Sequence, residues 1–310
     1  MRGCSGKWGA GLGALTALAA AVALSACALL PPLFEPTLEG EWAVRHIEAS
    51  EIAEPSGLVA SPAHPGVFWT HNDSGDAPRL FAIDAAGELV GEFRVEGAAH
   101  RDWEDIAADD AGHLYVGDFG NNANARRDLV VYRIAEPDPY AARRVARVDR
   151  VLRFRYADQN AYPAEKRRNF DAEALFWMDG ALYLFTKHRS DTDTTLYRLP
   201  VSEISEERAL EPIARFALPA QGRMYETTGA DLQRAQGGLL ALLTYGAIHL
   251  FEWEPSGEFP FRPIHRIALD VRRTGQVESI AWDGDALLFG NERRALFRIP
   301  DPLSIERYPP

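Results

Sequence analysis

From residue 41 onward the chain alternates short runs of β-branched, aromatic and leucine residues with clusters of Gly, Pro, Asp and Asn. Runs of four to eight such residues between breakers predict many short strands. No stretch sustains a 3.6-residue period, apart from a single helical turn expected near Ser202–Leu210. A degenerate phrase opens five of the runs: Glu54-Pro-Ser-Gly-Leu58, Asp102-Trp-Glu-Asp-Ile106, Asp171-Ala-Glu-Ala-Leu175, Thr228-Gly-Ala-Asp-Leu232 and Gln276-Val-Glu-Ser-Ile280. The aliphatic anchors are 48, 69, 57 and 48 residues apart, the repeat length of propeller blades rather than of helical solenoids.

Each phrase begins an inner strand, and further strands follow it. The second strands are predicted at Val67–His71, His113–Asp118, Ala181–Lys187, Leu239–Tyr245 and Ala286–Gly290, and the third at Leu80–Asp84, Leu129–Ile134, Leu196–Leu199, Ile248–Trp253 and Leu296–Ile299. Four units continue to a fourth strand, at Leu89–Val95, Val148–Phe154, Pro212–Leu218 and Pro263–Leu269. The fifth stops at Pro300-Asp301-Pro302, while Glu41–Ile47 reads as a strand with no unit of its own. Placing that strand in the last unit removes an exposed sheet edge. The prediction is an all-β, five-bladed β-propeller closed by an N-terminal strand. A six-bladed ring needs two or three more strands, and the polar stretch Tyr156–Arg168 reads as a loop.

The first residues change the picture of location. Arg2 and Lys7 precede the apolar stretch Gly9–Ala23, and Leu24-Ser25-Ala26-Cys27 resembles a bacterial lipobox, cleaved before a cysteine that is then diacylated. Small residues at the cut favour cleavage over a membrane helix. The expected organisation is a signal peptide at 1–26, a lipidated Cys27 with a tether at 27–38, and one propeller domain at 39–310. Ala28 follows the cysteine, so no Asp stands there to signal inner-membrane retention. The expected location is the cell envelope, facing the periplasm or the exterior, with the membrane as a partner through Cys27. Cys4 is the only other cysteine and leaves with the signal, so neither a disulfide nor thiol chemistry remains.

Cleavage removes two positive charges and takes the net charge from −12 to about −14. That balance argues against nucleic acid and fits a cation ligand or plain solubility. No P-loop, dinucleotide fingerprint, Cys/His metal spacing or Gly-x-Ser-x-Gly elbow occurs.

The candidate chemistry sits where inner strands begin and second strands end, since antiparallel neighbours bring both to one face. Two positions before the anchor the repeat reads Ser56, Glu104, Glu173, Ala230 and Glu278. Carboxylates converging on a channel need a counter-charge, and Ca²⁺ accepts six to eight oxygens in flexible geometry. Ser56, Glu104, Glu173 and Glu278 are therefore the candidate metal ligands, with the fourth unit contributing through Thr228, a carbonyl or water. The bland alternative is that these groups pin the units together by hydrogen bonds.

Around them the same face is expected to gather Glu54, His71, Asn72, Asp73, Asp102, Asp118, Asn121, Asp171, Lys187, His188, Tyr245, Asn291 and Glu292 as a ligand-binding surface. His71 with Ser56 or Ser74 and Asp73 offers a nucleophile, base and orienter, though Thr70-His-Asn-Asp-Ser-Gly75 reads better as an Asx-type turn. Lys187-His188-Arg189 is either an anion-binding element or a solvated loop. No catalytic residue is assigned.

The stretches Thr70–Asp76, Asp102–Ala107, Leu114–Asn122 and Asp171–Leu175 together resemble a group of largely uncharacterised bacterial secreted or lipid-anchored β-propeller proteins. The resemblance implies the fold and names no reaction. A more distant likeness is to calcium-activated apyrases, which are five-bladed and hold Ca²⁺ in the channel with glutamates and serines. Ser56, Glu104, Glu173 and Glu278 match that ligand chemistry, while Ala230 departs from it. The expected function is a ligand-binding or scaffold propeller with a channel cation and a small-molecule or protein ligand. The alternative is a Ca²⁺-dependent hydrolase of phosphoester, nucleotide, lactone or ester substrates.

Overall fold

The computed structural model describes residues 42–202, 207–218, 222–233, 238–254 and 260–305. The signal segment, Cys27, the tether and Glu41 lie outside the described residues. So does part of the stretch expected to form a helical turn, whose described end, Arg208–Leu210, is a strand instead.

Strand β1 (Ala43–His46) precedes the repeats. The first set comprises β2 (Pro55–Ala60), β3 (Val67–Asn72), β4 (Arg79–Asp84) and β5 (Leu89–Glu96). The second comprises β6 (Trp103–Ala108), β7 (His113–Asp118), β8 (Leu129–Ala135) and β9 (Val145–Tyr156). The third has β10 (Asp171–Met178), β11 (Ala181–Lys187) and β12 (Asp193–Pro200), then β13 (Arg208–Leu210) and β14 (Pro212–Ala217). The fourth has β15 (Thr227–Gln233), β16 (Leu239–Thr244), β17 (Ala247–Trp253) and β18 (Phe261–Ala268). The last has β19 (Val277–Asp283), β20 (Ala286–Asn291) and β21 (Ala295–Ile299).

Apart from β13, which β12 passes over to pair with β14, successive strands within each set pair antiparallel, and β1 pairs antiparallel with β21, with Val44 opposite Phe297. The N-terminal strand thus completes the last set. Two features depart from the expected plan. Strand β5 pairs in parallel with the start of β9, merging the first two sets into one sheet, and β13 pairs in parallel with the end of β9. Strand β9 is 12 residues long and reaches both partners.

The inner strands β6 and β19 are buried almost throughout, because neighbouring sets cover both faces. The outer strand β5 alternates, with Gly91, Phe93 and Val95 inward. Among the described residues, five apolar clusters fill the spaces between consecutive sets. Trp69, Leu80 and Phe93 of the first set meet Ile106 and Val116 of the second. Leu152 and Phe154 meet Leu175 and Leu184, and Phe176 and Phe185 meet Leu240 and Leu242. Leu243 and Ile248 meet Ile280 and Phe289, and Leu288 and Leu296 return to Leu58 and Phe68. Each large side chain so buried contributes about 1.5–3 kcal/mol. Layers that pack face to face and return to the first strand set define an all-β propeller.

Candidate functional site

Every inner strand breaks register near its start. The breaks fall between Ser56 and Leu58, Trp103 and Ile106, Ala172 and Ala174, Thr227 and Gly229, and Val277 and Ser279. A bulge leaves its extra residue without a ladder partner and re-aims the side chain. Glu104 with Asp105, Glu173, Thr228 and Glu278 occupy these positions. In the first set the extra residue is Gly57, at φ +67°, where a Cβ would lie 2.8 Å from Nε2 of His71.

The bulges correct the register of the fourth copy. Leu175 pairs with Leu184 and Ala230 with Leu242, and the backbone N–H groups of Leu175 and Ala230 both donate to Asp105. The N–H of Tyr245 bonds to the carbonyl of Glu226, just as Glu292 bonds to Gln276 and Asp73 to Glu54. The structural copy is therefore Glu226-Thr-Thr-Gly-Ala230, with Thr228 where the sequence pattern places Ala230. A two-residue shift keeps every side chain on the same face, so hydrophobic alternation cannot detect it. The Thr228 hydroxyl is buried and has no hydrogen-bond partner among the described residues.

Asp105, fully buried, is the residue that the sequence pattern missed. Its carboxylate accepts the N–H of Leu175 at 2.7 Å, of Ala230 at 3.2 Å and of Ile106 at 2.8 Å. Burial pushes this carboxyl well up, and the three amides oppose the push. Asp231 ties the fourth set to the fifth by accepting the N–H of Trp282 at 2.8 Å. Ser56 donates its hydroxyl to the carbonyl of Glu104 at 2.7 Å and so links the first set to the second.

At the mouth, charges pair selectively. Lys187 Nζ lies 3.0 Å from Glu173 Oε2 and donates to Tyr245 Oη at 3.2 Å, while Tyr245 donates to Glu278 Oε1 at 2.8 Å. Burial alone would depress the Lys187 amine, but Glu173 and Glu278 beside it hold its pKa well above the ordinary value. Arg189 donates to Asp171 at 2.8 Å, and Arg126 to Asp118 at 2.9 Å. Asp118 also receives the N–H of Asp102 at 3.1 Å. Lys187 and Arg189 thus act as built-in counter-charges and not as an exposed anion-binding pair.

Glu104 receives no such partner. Its side chain is 6 % exposed, and no described side chain forms an ion pair with it. Carboxylate oxygens of Asp73, Asp102 and Glu104 lie within 4.8 Å of one another, and those of Glu104, Asp171 and Glu173 do likewise. Burial pushes Glu104 well up, reinforced by Glu173, Asp73, Asp171 and Asp102. Burial, Asp73 and Asp171 raise Asp102 to about 6. Glycine at 120 makes room for the group: a Cβ there would lie 2.0 Å from Glu104 Oε1 and 2.5 Å from Cγ of Asp102.

Among the described residues the carboxylate groups close enough to share an ion include Glu104 and Glu173 but not Glu278, which Tyr245 engages. Ser56 gives its hydroxyl proton to a backbone carbonyl. Glu278 is raised to about 7, first by burial. Glu292 is half-buried and bonded to Gln276, and Glu54 is exposed.

Several expected surface residues instead shape turns. His71 is fully buried, its Nδ1 2.9 Å from the carbonyl of Asn72, its ring edge-on to Trp103. Burial lowers its pKa to about 3, which favours the neutral imidazole. Asn72 bonds to Asp76, Glu51 and Glu54. Asn121 caps the turn at Ala125 and Arg126, and Asn291 the turn at Arg293 and Ala295. His188 lies buried between Asp191 and Thr195.

No protein-family model matches the chain, and no curated protein matches it. Among solved structures it is similar to a calcium-binding regucalcin from Agrobacterium tumefaciens, at 13 % identity and a TM-score of 0.43, covering 86 % of this chain and 97 % of that one. It is also similar to a luciferin-regenerating enzyme, at 11 % identity and a TM-score of 0.41, over 86 % and 97 % of the two chains. For BamB from Moraxella catarrhalis the values are 12 % and 0.34, over 78 % and 70 %. At these values the likenesses carry no ligand or activity across, and the propeller class rests on strand pairing and packing.

Proposed function

We propose that this is a five-bladed, lipid-anchored propeller of the cell envelope that binds Ca²⁺ at its channel mouth as part of a ligand-binding site. The observation that carries the reading is Glu104, a buried carboxylate with no ion-pair partner among the described residues and with Asp73 and Asp102 in reach of a shared ion. Hard oxygen donors in flexible arrangement suit Ca²⁺. Asp73, Asp102 and Glu104 would hold the ion, with Asp171 next to them. Glu173 is already served by Lys187. A bound divalent ion supplies the positive charge that these carboxylates need to ionise together. His71 is buried and Ser56 donates to a backbone carbonyl, so neither supports a serine-type triad, and the hydrolase alternative rests on water activated by the ion.

The test is thermal melting in excess Ca²⁺ against chelator, for wild type and Glu104→Gln. At an ion concentration of 100 Kd the folded state gains about 2.7 kcal/mol. An unmoved wild-type midpoint overturns the cation reading. An equal shift in Glu104→Gln moves the ion away from Glu104.

A further inference from the structure

Beside Asp102 the mouth opens into a cavity of about 590 Å³, whose walls include Arg101, Asp102, Asn121, Arg126, Arg127 and Asp128. Its three arginines are not equivalent. Arg101 is paired with Asp128, and Arg126 is spent on Asp118 and the carbonyl of Gly120. Arg127 has no carboxylate partner among the described residues; its guanidinium carbon lies 3.7 Å from the centroid of the Tyr162 ring. A guanidinium stacked on a ring keeps its in-plane N–H groups available and its orientation fixed. An exposed arginine fixed in this way is a preorganised receptor for a planar or tetrahedral oxyanion.

We propose that this cavity takes a small organic anion whose phosphate or carboxylate group is held by Arg127 while another of its oxygens faces the cation at Asp73, Asp102 and Glu104. This rests on the cation reading above and adds the class of ligand. The shared chemistry is an oxyanion. The cavity is lined by both Arg127 and Asp102, so a ligand in it lies against the stacked arginine and against a residue of the ion site.

The experiment is calorimetric titration of Ca²⁺-loaded and chelator-treated protein with methyl phosphate and, separately, with lactate. Wild type, Arg127→Ala and Arg127→Lys are compared, alongside melting of each in Ca²⁺. One of the two probes is expected to bind the loaded wild type, and which one binds assigns phosphate or carboxylate. Arg127→Ala should weaken that binding roughly tenfold to a hundredfold while keeping the wild-type Ca²⁺ melting shift, and Arg127→Lys should restore only part of it. A wild type that shows the Ca²⁺ shift but binds neither probe overturns the anion site and leaves the cation reading standing. Binding that is unchanged in Arg127→Ala overturns it too. Arg127-dependent binding without any Ca²⁺ shift keeps the anion site and removes the cation.

Discussion

Asp105, on β6, accepts the backbone N–H of Leu175, on β10, at 2.7 Å, and the same oxygen takes the N–H of Ala230 on β15. One carboxylate, on a bulge of its own strand, thus connects three inner strands. Asp105→Ala is expected to be strongly destabilising, since each orphaned buried amide costs about 1–3 kcal/mol. Asp105→Asn keeps an acceptor oxygen and should lose less. Denaturant midpoints of the two variants check the order.

Lys187 is the buried ammonium that serves Glu173 directly and touches the hydroxyl that holds Glu278. Replacing it by Met leaves buried carboxyls without compensation, a loss of about 3–5 kcal/mol. The deficit should shrink as the pH falls and these carboxyls take up protons. Chemical denaturation at pH 5 and pH 8 measures both parts.

In chelator, wild-type stability is expected to be greatest at the acid end of the window between about pH 4.5 and 7. Glu278 has a folded pKa of about 7 against an ordinary value of 4.5, so the folded state binds the proton more tightly. Its contribution is fully present below the unfolded pKa and is lost as the pH rises through the folded one. The Glu278→Gln variant should show a flatter profile. The stabilising effect of added Ca²⁺ should grow with pH through about 6, because the ion requires Asp102 ionised. Melting at half-unit pH steps, with and without the ion, reads both trends.

Gly120→Ala drives a methyl group toward the carboxyl ends of Glu104 and Asp102. Those ends can swing aside, so the fold should survive with a loss of about 1–3 kcal/mol. The Ca²⁺-dependent rise in melting temperature should largely disappear. A variant that melts like wild type in chelator and in Ca²⁺ removes Glu104 and Asp102 from the ion site.

The envelope anchor is checked separately. Native protein should carry acyl chains on Cys27, visible by mass, and Cys27→Ala should leave the membrane fraction. An intact N-terminus on the native protein refutes the cleavage.

The strand plan was legible because breakers stand at nearly every turn and because β-branched and aromatic runs fill both faces of the inner strands. Strands such as His113–Asp118 and Ala181–Lys187 fall where the pattern puts them. The acidic starts of the inner strands were legible for the same reason. Pair selection was not. Whether Glu173 faces a cation from outside or Lys187 from within depends on which carboxylates and hydroxyls the Lys187 side chain reaches, which no local pattern encodes. Asp105 escaped notice because its partners lie 70 and 125 residues away. The fourth copy was misaligned by two because Ala230 is a weak apolar anchor and Leu232 a strong one on the same face. The parallel contact between β5 and β9 had no signal either, since both strands are ordinary outer strands in sequence.

The pairing of β1 with β21 also sets the earliest moment at which the last set can be completed. Ala43 emerges early in synthesis and its partner Arg298 emerges 255 residues later, an interval of about 13–50 s at 5–20 residues per second. Throughout that time the latch strand has no mate, and the final set has only three strands until the two ends meet. Until then β1 is an unpaired edge, open to capture by another chain.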